Sequence, residues 1–156
     1  MTLDAIKHFV SVGDMLATAG QPTELELGEV AACGFDVVVN LGLLDPRYCL
    51  ADEAAVVRAL GLEYHHVPVD FLAPSEADFE RFTSVMRAAK GKRAFVHCAA
   101  NYRVSCFVAL YAEAELGWSR TQADALVASV WEPNATWLAF LRAVRDRMPA
   151  RAGGEP

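Results

Sequence analysis

The stretch RAFVHCAANYRVS, residues 93–105, organises the chain. An apolar lead-in, Ala94-Phe95-Val96, runs into His97 and Cys98. Arg103 follows after four residues, and then an almost wholly apolar segment, VSCFVALYAEAEL. This pattern reads as a short buried strand, a tight turn, and a helix with an arginine in its first turn. A cysteine at the end of a strand, facing an open helix N-terminus and a guanidinium, is suited to act as a thiolate on a phosphate or other oxyanion. The same pattern also suits an inert core cysteine, so both readings stand at this point.

Working outward, the flanking sequence alternates strands and helices. Residues 6–12 and 14–18 read as two short strands split by Gly13. Thr23 and Glu26 form a capping box for a helix over about 24–33. FDVVVN, 35–40, reads as a central strand covered on both faces. A short helix over about 52–60 and a strand over 62–69 come next. Ser75 and Asp78 start a helix that Gly91 ends, with Phe79, Phe82, Met86 and Ala89 on its inner face. After 93–97 come helices over about 103–116, 120–130 and 135–147. The helix from 103 is expected to be the most buried. In the last helix, Arg142, Arg145 and Asp146 are expected to point outward.

This order predicts an α/β, three-layer fold: a mostly parallel central sheet with helices on both faces. Residues 1–150 are expected to form a single domain and 151–156 a flexible tail. In such sheets ligands sit beyond the C-terminal strand ends. The Cys98 turn and the loop at Asp70 both fall there.

Composition narrows the function. The chain has 156 residues, a net charge of -6, 54% hydrophobic and 22% charged residues. That balance argues against a nucleic-acid partner, which demands a basic surface. A local arginine still suffices for a small anionic substrate. No run reaches membrane-spanning length, and the N-terminal segment lacks the apolar core of a signal peptide. A cytoplasmic location, with no membrane partner, is expected. The four cysteines, 33, 49, 98 and 106, form no CxxC pair and no zinc spacing, so no metal and no cofactor are expected. Cys33, Cys49 and Cys106 are assigned to the core.

Each candidate site residue has a chemical role and a plain structural alternative. Cys98 is the nucleophile or a core thiol. Arg103 is an oxyanion clamp, its fork matching two phosphate oxygens, or a solvated arginine in an unfavourable end of the helix dipole. Ala99, Ala100, Asn101 and Tyr102 offer backbone N–H groups to the same anion; Asn101 tolerates a left-handed backbone. Asp70 is a general acid or a turn aspartate, with Asp45 and Asp52 as weaker rivals. His97 supports the loop or is a satisfied core histidine, its ring directed away from the Cys98 side chain. Trp131, Trp137 and Tyr48 line the pocket or pack in the core.

The segments AGQPTELELGEVAACGFDVVVNL (19–41), YHHVPVD (64–70) and FVHCAANYRVS (95–105) resemble the cysteine-dependent protein tyrosine and dual-specificity phosphatase superfamily. The resemblance is to its bacterial branch of small phosphatase-like domains, including the one fused to β-lactamase-like hydrolases. It implies a dual-specificity-phosphatase-like fold, a phosphocysteine on Cys98, phosphate binding by Arg103, and Asp70 as general acid. The substrate it implies is a phosphorylated protein or a small phosphomonoester. The chain departs from the usual loop by having four residues, not five, between Cys98 and Arg103. Ser105 stands where the loop hydroxyl falls when counted from the cysteine. Either the loop is one residue shorter with Arg103 in the anion site, or Val104 takes the arginine's place. The spacing also matches rhodanese-like sulfurtransferases, which would carry a persulfide on Cys98. A noncatalytic phosphate-binding domain is the third reading.

Overall fold

The computed structural model describes residues 2–149; the expected tail at 151–156 lies outside them. Among the described residues five strands make one sheet: β1 (Val10–Gly13), β2 (Leu16–Ala19), β3 (Val37–Asn40), β4 (Glu63–His66) and β5 (Ala94–His97). Their order is β1-β2-β5-β3-β4. β5 lies at the centre and pairs in parallel with both β2 and β3, while β1 is an antiparallel edge strand on β2.

Helices cover both faces, and the strand alternation explains why. Ala17, Val38 and Phe95 point to one face and meet Leu27 and Val30 of α1 (Glu24–Ala32) and Val57 of α2 (Glu53–Ala59). Leu16, Val37, Val39 and Val96 point to the other. There they meet α3 (Glu76–Ala88), α4 (Tyr102–Glu115), α5 (Arg120–Val130) and α6 (Ala135–Arg147). α4 is the axis of that second layer, with 11 of its 14 residues buried. Phe107 on α4 stacks on Phe140 and meets Phe79 and Phe82 edge to face. Such ring pairs add to the area they bury.

Side chains set where most helices begin. Thr23, Ser75 and Ser119 each form a reciprocal capping box with the third helical residue. Asp52 and Asn134 accept from the third backbone N–H of α2 and α6. α4 differs: Asn101 precedes it in the left-handed conformation (φ 69°) and makes no side-chain cap. Its first turn keeps open N–H groups with no acidic residue beside them.

Several expectations need correction. Residues 6–8 are not strand: Leu3–Ala5 form a 3-10 turn, and His8 reverses the chain at φ 50°. Gly13 does not split the hairpin but pairs within β1, and the turn falls at Asp14 and Met15. Cys33 is exposed because it caps α1 at its C-terminus, and Cys49 is half-buried in a loop. Arg145 points inward, drawn by Glu113 of α4 at 2.7 Å and Asp124 of α5 at 2.8 Å. Among the described residues no helix is long and apolar enough to cross a membrane.

Candidate active site

β5 delivers Cys98 to the C-terminal edge of the sheet, where its N–H donates to Ala19 C=O at 3.3 Å. The side chain is buried among apolar neighbours and also lines a cavity of about 260 Å³. Phe71, Ala99, Ala100, Tyr102 and Arg103 form the rest of the wall. Cys98 and Arg103 therefore line one cavity at the open end of α4. Val104, the other candidate for the arginine position, is fully buried in the core.

Arg103 is only 6% exposed. Its Nη1 donates to the Val69 carbonyl at 2.9 Å, and Nη2 lies 3.4 Å from the Tyr48 hydroxyl. The Tyr48 oxygen also accepts the Leu43 N–H at 2.8 Å, which ties that loop to the arginine. Both partners of Arg103 are neutral, and no carboxylate among the described residues forms an ion pair with it. Arg145, which also faces inward, has two carboxylates. A buried charge without a counter-charge is costly.

Asp70 follows Val69, whose carbonyl holds Arg103, and precedes Phe71, which lines the cavity. It is exposed, and its Oδ1 accepts the Leu72 N–H at 2.9 Å, a local turn. The rival aspartates have other work. Asp45 pairs with Arg47, whose hydrogen bonds hold its carboxyl down at about 2. Asp52 caps α2.

The loop is braced from outside the cavity. Asn101 turns its side chain away, donating from Nδ2 to the His8 carbonyl (2.8 Å) and to Thr18 Oγ1 (3.0 Å). Gly20 lies so close that a Cβ there would stand 2.7 Å from the Ala99 oxygen. Ser105 does not line the cavity; its hydroxyl donates to Tyr102 C=O and accepts the Trp131 indole N–H. Trp131 stacks on Tyr102 with ring centroids 4.5 Å apart and planes 4° apart. Phe71 packs against both rings, and its carbonyl accepts the Trp137 indole N–H at 2.9 Å.

One neighbour of the loop, Glu53, escaped the sequence reading. His97 points to the opposite face of the sheet from Cys98, where its Nε2 donates to Glu53 Oε2 at 2.6 Å. Its Nδ1 lies 3.3 Å from the Cys98 carbonyl. Glu53 Oε1 accepts from Gln21 Nε2 at 2.8 Å. Burial works to raise the Glu53 carboxyl, but the His97 hydrogen bond and charge, with Gln21, hold it below its ordinary value. A fully buried histidine beside the loop was the available signal, because such a ring must find a partner.

Comparison with known proteins bears on this arrangement. No family model matches the sequence. A solved structure from Shewanella putrefaciens CN-32, a candidate phosphatase of the DUF442 family, superposes with a TM-score of 0.84 at 30% identity. The match covers 94% of this chain and 96% of that one. The chain belongs to the DUF442 family. Tk-PTP in its active form shares the fold, with a TM-score of 0.77 over 90% of this chain and 98% of its own, at 23% identity. Among curated proteins, the β-lactamase hydrolase-like protein of Xylella fastidiosa (strain 9a5c) is 31% identical over 122 residues, 76% of this chain. The chain spans only 28% of that relative's length. The fold of this family is thus that of the protein tyrosine phosphatase-like proteins, as the resemblance implied.

Proposed function

We propose that the protein hydrolyses phosphomonoesters through a phosphocysteine on Cys98. The observation that carries this reading is the buried, carboxylate-free Arg103 lining the same small cavity as Cys98. The uncapped first turn of α4 adds N–H groups to the same place. The phosphatase names of the structural relatives support the assignment.

In the first step the Cys98 thiolate attacks phosphorus, an S–P bond forms, and the ester P–O bond breaks. Asp70 gives its proton to the leaving oxygen. Its Oδ1 already accepts the Leu72 N–H, so Oδ2 is the oxygen suited to carry that proton. Arg103 and the loop amides hold the non-bridging oxygens as charge shifts among them. In the second step water attacks phosphorus, the S–P bond breaks, and Asp70 takes the water's proton. Inorganic phosphate leaves and the thiolate returns. Substrates are a phosphorylated protein or a small phosphomonoester.

The test compares wild type with Cys98→Ser and Asp70→Asn on an aryl phosphate. Cys98→Ser should abolish turnover, and Asp70→Asn should lower it roughly 10²–10⁴-fold, the usual worth of a general acid. Equal turnover by all three proteins refutes the mechanism.

A further inference from the structure

The turn at residues 6–9 lies outside the cavity and takes no part in the chemistry above, yet it is bonded to the Cys98 loop in both directions. The Ala100 carbonyl accepts a hydrogen bond from His8 Nδ1 at 2.8 Å. Asn101 Nδ2 donates back to the His8 carbonyl at 2.8 Å. One residue earlier, the Lys7 carbonyl accepts the Gly20 N–H at 2.7 Å, and the next N–H, of Gln21, donates to the Ala99 carbonyl at 3.0 Å. His8 holds a φ of 50°. A non-glycine residue keeps such a conformation only where its surroundings over-determine it. The over-determining contacts here are those with the loop.

Peptide geometry gives these bonds their consequence. A trans peptide directs its C=O and N–H to opposite sides. The Ala99 oxygen is held by the Gln21 amide and the Ala100 oxygen by the His8 ring, both outside the cavity. The Ala100 N–H therefore points away from Gln21. Gly20 and Ala100 form an antiparallel bridge, and with the Gln21 N–H on the Ala99 carbonyl that pattern turns the Asn101 N–H toward the Ala19 carbonyl. The span held between these bonds, Ala99 and Ala100, lines the cavity. We infer that His8 is a positioning residue whose ring N–H fixes the Ala100 carbonyl and so holds this span of the Cys98 loop in place beside the anion site. The inference rests on the phosphatase reading of Cys98 and Arg103. The His8 ring also stacks on Tyr102, with centroids 6.1 Å apart and planes 20° apart, so the same side chain braces the loop at two successive places.

The test uses His8→Ala, His8→Asp and His8→Asn, with inorganic phosphate as the probe and an aryl phosphate as substrate. Asparagine tolerates the left-handed backbone and puts an N–H where Nδ1 stood; aspartate puts only an acceptor there. His8→Ala and His8→Asp should each weaken phosphate binding about five-fold, the equivalent of one ordinary hydrogen bond. Their kcat/KM should fall by at least as much. His8→Asn should stay close to wild type in both. A merely structural role would lower thermal stability without separating aspartate from asparagine in phosphate affinity. If wild type binds phosphate and turns over, but the alanine and aspartate variants match it, the inference about His8 fails alone. It also fails alone if asparagine is as weak as alanine. If wild type neither binds phosphate nor turns over, the reading of Cys98 fails and this inference with it.

Discussion

Replacing Glu53 tests the layer of structure beneath the loop. The residue is 5% exposed, and each carboxylate oxygen accepts one bond, from the buried His97 on one side and the half-buried Gln21 on the other. Glu53→Ala removes both acceptors and strands the His97 N–H inside the protein. Leaving a buried donor without its acceptor costs about 1–3 kcal/mol, and two donors lose theirs here. Glu53→Gln is milder. Its carbonyl can still accept from His97, leaving its amide facing Gln21. The Gln21 Oε1 is buried without a partner, so that side chain can turn over and accept from the new donor. It then loses its bond to the Pro22 carbonyl, now 2.9 Å, a cost of about 1 kcal/mol. In a chain of this length 1 kcal/mol moves Tm by about 2–4 °C. The alanine variant should therefore melt roughly 4–24 °C below wild type and the glutamine variant about 2–4 °C below, as read by circular dichroism at neutral pH. The sign with pH also follows. The Glu53 carboxyl is held below its ordinary value of 4.5, so its contribution is complete above that value and is lost as pH falls through the lower folded one. Wild type and Glu53→Gln should converge in acid. An alanine variant as stable as wild type, or a gap that widens on acidification, refutes the reasoning.

Three further outcomes follow from the geometry. Gly20→Ala places a methyl 2.7 Å from the Ala99 oxygen, and the displaced loop should lower kcat/KM on an aryl phosphate roughly 10²-fold with secondary structure intact. Arg145→Ala leaves Glu113 buried with only Arg120, 3.9 Å away, as a cation and should cost up to about 3–5 kcal/mol in urea unfolding; pairing Arg145→Met with Glu113→Leu should recover most of that loss. Burial pushes the Cys106 thiol up to about 12, so at pH 8 iodoacetamide should label the exposed Cys33 and leave Cys106 unmodified until the chain unfolds, as read by mass spectrometry.

The parts of this fold that are local in cause are the parts the sequence displays. α1 and α3 begin where the capping boxes at Thr23 and Ser75 place them, because a cap is a contact over three residues. The three-valine run announces β3 as a covered strand for the same reason. The errors share a different cause. Residues 6–8 have strand-like composition, but their conformation is dictated by bonds to Gly20, Ala100 and Asn101, far along the chain. Arg145 resembles the outward arginines beside it until Glu113 on another helix is brought near. Glu53 looks like an ordinary acidic residue in a first helical turn; only the arrival of β5 puts His97 against it. The convergence of Cys98 and Arg103 on one cavity was readable from a six-residue spacing. The turn around His8 and the Tyr48 loop were not, since nothing local reveals which distant loop will brace another.

The position of β5 has a consequence for how the protein is made. β2 and β3 are separated by a single helix in the chain, yet they never touch, because the slot between them is reserved for residues 94–97. A growing polypeptide that has emerged from the ribosome only as far as α3 would carry two strands with bare inner edges facing an empty space. Such edges invite pairing with other chains. The strand that leads into Cys98 is thus also the wedge that closes the sheet, and a chain cut short before it would be prone to aggregate.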